Sequence, residues 1–127
     1  MQCRGIRGAI TVRADTKTDI LTAAKKLLTE MSTANEIDVN DIAAIFFTTT
    51  ADMNAEFPAA ATRELGWPPN LALLCGHEMD VPDALPRCLR VLMLVNTEKR
   101  LEEIVHVYLG KAKKLKDKPL PAIAGGT

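Results

Sequence analysis

Leu85-Pro86-Arg87-Cys88-Leu89-Arg90-Val91-Leu92-Met93-Leu94-Val95 is the stretch on which the fold turns. It reads as a long strand, with Pro82 and Pro86 setting its approach. Upstream, Leu71 to Cys75 reads as a short buried strand, set off by the break Trp67-Pro68-Pro69-Asn70. Before that break, Pro58 suits the first turn of a short helix that Gly66 would close. Ile42 to Thr50 is β-branched and aromatic, a further strand. Ile20, Leu21, Ala24, Leu27, Leu28 and Met31 follow i, i+3, i+4, i+7 spacing. With Asp15 and Thr16 as candidate N-caps, that spacing predicts a helix from Lys17 to Thr33. Cys3 to Val12 alternates, Ile6, Gly8, Ile10 and Val12 on one side and Arg7, Ala9 and Thr11 on the other. Leu101 to Leu109 fits a helical turn and a strand equally well.

The order β, α, β, α, β, β predicts an α/β (α+β) single domain: one mixed β-sheet covered on one face by two helices. Two helices cannot bury both sides of so apolar a sheet, so the bare face is expected to meet other copies of the chain. A chain of 127 residues suffices for one ordinary core and not for two domains. The domain is expected over residues 1–115. The basic, then Pro/Gly-rich stretch 116–127 is expected to be a mobile tail.

Composition narrows the function. The 16 Lys+Arg balance 16 Asp+Glu, and no basic cluster sits on a patterned helix face, so nucleic acid is not an expected partner. No apolar run approaches the roughly 18 residues that span a bilayer, and Met1-Gln2-Cys3-Arg4 does not look like a secretory leader. A cytoplasmic protein without membrane contact is expected. Cys3, Cys75 and Cys88 are odd in number and widely spaced, so reduced thiols are expected, with no metal site. Cys75-Gly76-His77-Glu78 lacks the further ligands zinc needs and the orienting group a Cys/His nucleophile needs. No GxGxxG or P-loop pattern occurs, and no cofactor is expected.

The chief anomaly is Arg90, a cation sharing a strand face with Cys88, Leu92 and Leu94. A guanidinium cannot shed its proton, so among aliphatic neighbours it needs an anion. Arg7 repeats the pattern on the first strand, between glycines and alanines. Two readings stay open: an ordinary ion pair of Arg90 with Glu78, or convergence of both arginines on a multiply anionic small molecule, a task that suits the planar guanidinium fork. The small residues after Phe57-Pro58 leave room and free N–H groups at a helix start, or simply allow close packing on the sheet.

Arg4-Gly5-Ile6-Arg7-Gly8-Ala9-Ile10-Thr11-Val12, Asp52 through Phe57-Pro58-Ala59 to Arg63, Cys75-Gly76-His77-Glu78-Met79-Asp80-Val81, Arg87-Cys88-Leu89-Arg90-Val91 and His106-Val107-Tyr108-Leu109 together resemble the AroH-class chorismate mutases, in order and spacing, from about Cys3 to Leu115. The resemblance implies a homotrimer, a pseudo-α/β-barrel with active sites at subunit interfaces, that rearranges chorismate to prephenate in phenylalanine and tyrosine biosynthesis. It implies Arg90, Glu78 and Arg7 as the catalytic set. Substrate-binding residues would be Arg7, Phe57, Arg63, Leu74, Cys75, Glu78, Arg90, Tyr108 and Leu115. By the same analogy Arg7, Cys75, Glu78, Arg90 and Tyr108 come from one subunit, and Phe57 and Arg63 from its neighbour. Ala60 and Lys116 depart from a pattern in which many relatives carry Lys and Arg, respectively, and Lys111, Lys113, Lys114 and Lys118 are candidate replacements. Two alternatives share the architecture: an imine-deaminase-like trimer and a noncatalytic trimer that binds a metabolite.

Overall fold

The computed structural model describes residues 1–116; the expected tail, apart from Lys116, lies outside the described residues. Five strands, β1 (Gln2–Thr11), β2 (Ile42–Thr49), β3 (Ala72–His77), β4 (Cys88–Thr97) and β5 (Val107–Leu109), form one mixed sheet in the order β3-β2-β4-β1-β5. The decisive stretch thus becomes the central strand, antiparallel to both β1 and β2. The outer pairs, β1 with β5 and β2 with β3, are parallel.

The strand β4 begins at Cys88 rather than at Leu85 because Arg87 turns into the left-handed region, φ 46°. That turn is clasped from three sides. Arg87 N–H donates to Asp52 Oδ2 at 3.0 Å and Arg87 Nε to the Val12 carbonyl at 3.1 Å, while Val12 N–H donates to the Arg87 carbonyl at 2.7 Å.

Helix α1 (Lys17–Ala34) starts where Thr16 Oγ1 accepts the Asp19 N–H at 3.1 Å. Its stripe Ile20, Leu21, Ala24, Leu27, Leu28 and Met31 is buried, as the spacing predicts. Those side chains meet Ile6 and Ile10 of β1, Ile45 and Phe47 of β2 and Leu89, Val91, Met93 and Val95 of β4. Full burial of each large aliphatic is worth roughly 1.5–3 kcal/mol, so this layer dominates the stability. Gly8 is required here, because a Cβ at that position would collide with Met31 Sδ. Asp15, the other candidate cap, instead holds the loop before Phe57: its Oδ1 accepts the N–H groups of Asn54 and Ala55 at 2.8 and 3.0 Å.

Two readings are refined and one, that of Leu71–Cys75, needs correction. The segment from Pro58 is a 3₁₀ turn (Pro58–Ala60) followed by one α-helical turn, α2 (Ala61–Glu64), closed by Gly66 at φ 73°. It covers the same sheet face as α1. The strand through Leu71–Cys75 is not buried: β3 is an edge strand, and apart from the half-buried Cys75 its residues are exposed. Leu101 to Leu109 resolves into both of its alternatives, a 3₁₀ turn (Leu101–Glu103) and β5. What separates them is Asn35, buried at the end of α1, whose side chain accepts the Val105 N–H and donates to the Val105 carbonyl, each at 2.8 Å.

The second sheet face stays largely bare. A short turn, α3 (Lys113–Lys116) with the residues before it, folds over one corner, where Ala112 meets Ala9 and Cys88. Elsewhere Phe46, Leu74 and Leu92 remain exposed on it.

Candidate active site

Pairing places the candidate residues on the bare face. In the β1–β4 ladder Ala9 lies opposite Arg90 and Arg7 opposite Leu92, so the two arginines stand diagonally on neighbouring strands. On the other flank Thr48 lies opposite Arg90 and Phe46 opposite Leu92. Strand β5 brings Tyr108 beside Ala9. Beyond β3, the Glu78 N–H donates to the Thr49 carbonyl at 2.7 Å, which extends the strand by one residue and turns the Glu78 side chain to the same face.

A cleft of about 350 Å³ results, lined among others by Arg7, Phe46, Glu78, Arg90, Leu92 and Tyr108. Arg90 Nε lies 3.5 Å from Glu78 Oε2. The pairing that one reading anticipates therefore exists, but at this distance it is loose. The Arg90 side chain keeps 47% of its exposure, so within one chain it is not buried among the aliphatics of its strand. Among the described residues no carboxylate lies within salt-bridge distance of Arg7. One carboxylate braces one guanidinium, and the cleft keeps a cationic excess. Burial pushes the neighbouring Cys88 thiol up from its ordinary value, with Arg90 pulling the other way.

Cys75 does not join this group. Successive strand residues face opposite sides, and Cys75 pairs with the core residue Phe47, so its thiol turns to the helix-covered side. There burial pushes it up in pKa. Cys75 lines a second cleft of about 440 Å³ together with Met53, Asn54, Phe57 and His77. His77 braces its wall, Nδ1 being 3.1 Å from Thr49 Oγ1 and Nε2 3.1 Å from Asn54 Oδ1. Phe57, 71% exposed, stands at this second cleft and not at the arginines. Arg63 projects from α2 into solvent and lines neither cleft. Leu74 lies on the bare face opposite Phe46, outside the cationic cleft, and Leu115 packs beside Tyr108 against Ala9 and Ala112. Ala60, one of the two departures, is half-buried against the core.

Some lining residues carry no signal in the sequence motifs. Phe46, Thr48 and Leu92 belong to the cleft through strand register alone, which the alternation of Ile42–Thr50 against Leu89–Val95 would have supplied once the pairing was known. Cys75, His77 and Glu78 do not gather as ligands, and among the described residues no three His, Cys, Asp or Glu side chains do.

Residues 3–118 match the family described as chorismate mutase type I. Two curated relatives are each called chorismate mutase AroH. The one from Thermus thermophilus is 45% identical over 114 residues, covering 89% of this chain and 93% of the relative. The one from Bacillus subtilis (strain 168) is 43% identical over 112 residues, covering 87% of each. A solved chorismate mutase from Clostridium thermocellum superposes with a TM-score of 0.85 at 47% identity, over 87% of this chain and 98% of that one.

Proposed function

Because the chain belongs to the chorismate mutase type I family, we infer that it rearranges chorismate to prephenate, by the route its bare-face cleft supports. Family membership decides among the readings left open by the sequence. The reaction is a Claisen rearrangement: the ether C–O bond breaks as a C–C bond forms within the same molecule, and no atom is gained or lost. It calls for no nucleophile, proton relay or cofactor. What it calls for is a dicarboxylate held in its compact reactive conformer, and a fixed positive charge where electron density gathers on the ether oxygen.

The observation that carries this reading is the convergence of Arg7, Glu78, Arg90 and Tyr108 on one cleft. Arg90 bridges the ether oxygen and a carboxylate, since Glu78 occupies only its Nε edge and the remaining N–H groups are already oriented before charge develops. Arg7 and Tyr108 bind carboxylate oxygens. Glu78 accepts a hydrogen bond from the ring hydroxyl and at the same time braces Arg90, an orienting acceptor rather than a general base.

This cleft is half a site. The bare apolar face around it, with Phe46, Leu74 and Leu92 exposed, is covered by further copies of the chain in a homotrimer with sites between subunits. One protomer supplies the cationic half. The neighbour supplies the half formed by Phe57, as the family pattern implies, and Cys75 comes with Phe57 because the two share one cleft in a single chain. Arg63 acts from that neighbour, at the rim, and Leu115 closes the side beside Tyr108. The pathway toward phenylalanine and tyrosine and a cytoplasmic setting belong to the same proposal.

The loss of chorismate absorbance, followed with purified protein, tests it directly. Replacing Arg90 by a neutral residue costs at least the ~3–4 kcal/mol of one lost oxyanion donor, about two to three powers of ten in kcat. Arg90→Lys is also severely impaired, because the ammonium cannot make both contacts. Absence of turnover in the wild type, or near-normal turnover in Arg90→Lys, overturns the assignment.

A further inference from the structure

His106 lies outside the cationic cleft, and yet its Nδ1 accepts the backbone N–H of Arg7 at 2.9 Å. The position of this bond in the sheet gives it weight. Parallel pairing of β5 with β1 runs from Gly8 opposite Val107 to Ile10 opposite Leu109 and stops there. Arg7 is the residue of β1 just before this ladder begins, and from it the guanidinium departs toward the cleft. The imidazole takes the place of the missing main-chain acceptor. It is itself held, since the preceding residue, Val105, is fixed through both its N–H and its carbonyl by buried Asn35. A continuous path therefore runs from the end of α1 through Asn35 and Val105 to the His106 ring and the Arg7 backbone.

We propose that neutral His106 is a positioning residue for Arg7, its Nδ1 lone pair fixing the β5-facing side of β1 at the residue from which the substrate-binding guanidinium reaches; this rests on the role assigned to Arg7 above. Accepting at Nδ1 requires that the ring proton sit on Nε2. Burial lowers the His106 pKa, and the adjacent Arg7 cation, the one charged group that bears on the ring, lowers it further, so the acceptor stays available at neutral pH. Without the bond, the Arg7 N–H on the β5 side loses its acceptor, and pairing with β4 alone holds β1 at that point. The loss then falls on substrate binding, because Arg7 grips a carboxylate present in ground state and transition state alike.

A double-mutant cycle between His106→Ala and Arg7→Ala, with His106→Asn as the conservative arm, tests this. Arg7→Ala keeps the backbone N–H that His106 holds and removes only the side chain. His106→Ala is expected to lower kcat/KM about fivefold to tenfold, mostly through KM. His106→Asn, whose Oδ1 restores an acceptor, is expected to return to within about twofold of the wild type. In the Arg7→Ala background, His106→Ala is expected to add nothing. A full additional loss in that background, or an equal loss in the Asn variant, overturns the proposal. No effect of Arg7→Ala itself overturns instead the binding role of Arg7, a separate outcome. Nitrogen-15 NMR of the wild-type ring at pH 7.5 gives a readout that needs no variant to fold: the Nε2–H tautomer is expected, and an Nδ1–H tautomer or a protonated ring refutes the idea.

Discussion

The proposed division of the active site between protomers makes a quantitative prediction about mixtures. Take two variants, one lacking the cationic half and one with its apolar half spoiled. Arg90→Ala removes the guanidinium that receives the developing charge, a loss of ~3–4 kcal/mol, so it retains below about 1% of wild-type activity. Phe57→Asp sets a carboxylate where the neighbour's dianionic substrate would lie, and like charges so placed cost several kcal/mol, again below about 1%. Neither change disturbs the fold of its own chain, since Arg90 is only partly covered and Phe57 is 71% exposed. When the two are co-expressed in equal amounts and assemble at random, a site works only if its cationic half comes from a Phe57→Asp chain and its apolar half from an Arg90→Ala chain. The chance is roughly one half for each, so mixtures recover about a quarter of wild-type turnover, and that fraction does not depend on the number of subunits in the ring. The assay is loss of chorismate absorbance on the whole co-expressed population, with no selection of mixed oligomers. A population that remains at about 1% would show that each site is built within one chain, and the assignment of Phe57 and Cys75 to the neighbour would fall.

Two further expectations concern stability. Gly8→Ala forces a Cβ onto Met31 Sδ at the contact of β1 with α1, and an overpacked core of this kind loses roughly 1–3 kcal/mol, measured as a lower urea midpoint with an unchanged slope; a midpoint equal to the wild type would show that Met31 simply moves aside. Asp52 is held below the ordinary carboxylate value of 3.8, first by the Thr50 hydroxyl, against an opposing effect of burial, and then by the Arg87 backbone N–H. A depressed native pKa means that this contribution is present above the unfolded value and is lost as pH falls through the native one. The stability gap between the wild type and Asp52→Asn is therefore expected at neutral pH and should close below about pH 4; a gap that persists unchanged to pH 2 refutes it. The gap is small, because the carboxylate is almost fully exposed.

Much of the fold was legible because periodicity records which face is buried. The α1 stripe and the alternation of β1 each state their own orientation without reference to the rest of the chain. Legibility failed where a property belongs to the arrangement of elements. Apolarity made Leu71–Cys75 read as buried, whereas its exposure follows from its edge place beside β2, which only the sheet order decides. Leu101–Leu109 was ambiguous because the group that divides it, Asn35, lies 70 residues earlier than its partner Val105. The site divides in the same way. Arg7 and Arg90 stood out as cations among small and aliphatic neighbours, and the cleft brings them together. Cys75 was grouped with Glu78 through the family resemblance, but a three-residue step along a strand reverses the face. His106 was read only as part of the His106-Val107-Tyr108-Leu109 motif, since a ring nitrogen that meets a backbone N–H 99 residues away leaves no pattern in the chain.

The charge balance of the cleft supports the proposal that the site is shared between chains. Among its lining residues Arg7 and Arg90 contribute two positive charges and Glu78 one negative, a net of one positive charge. A dicarboxylate brings two negative charges, so a site made from this half alone would enclose an uncompensated anion, which becomes costly once water is excluded. One further cation from the neighbour closes the balance, and Arg63, outside both clefts of its own chain and free of any carboxylate within salt-bridge distance among the described residues, is available for it. The same balance keeps Glu78 useful rather than wasteful: it braces Arg90 through Nε without cancelling Arg7, so the cleft stays attractive to an anion while the guanidinium that matters most is held still. Because Ala60 carries no charge, the proposed role leaves Arg63 with more of the neutralisation than it would have beside a lysine.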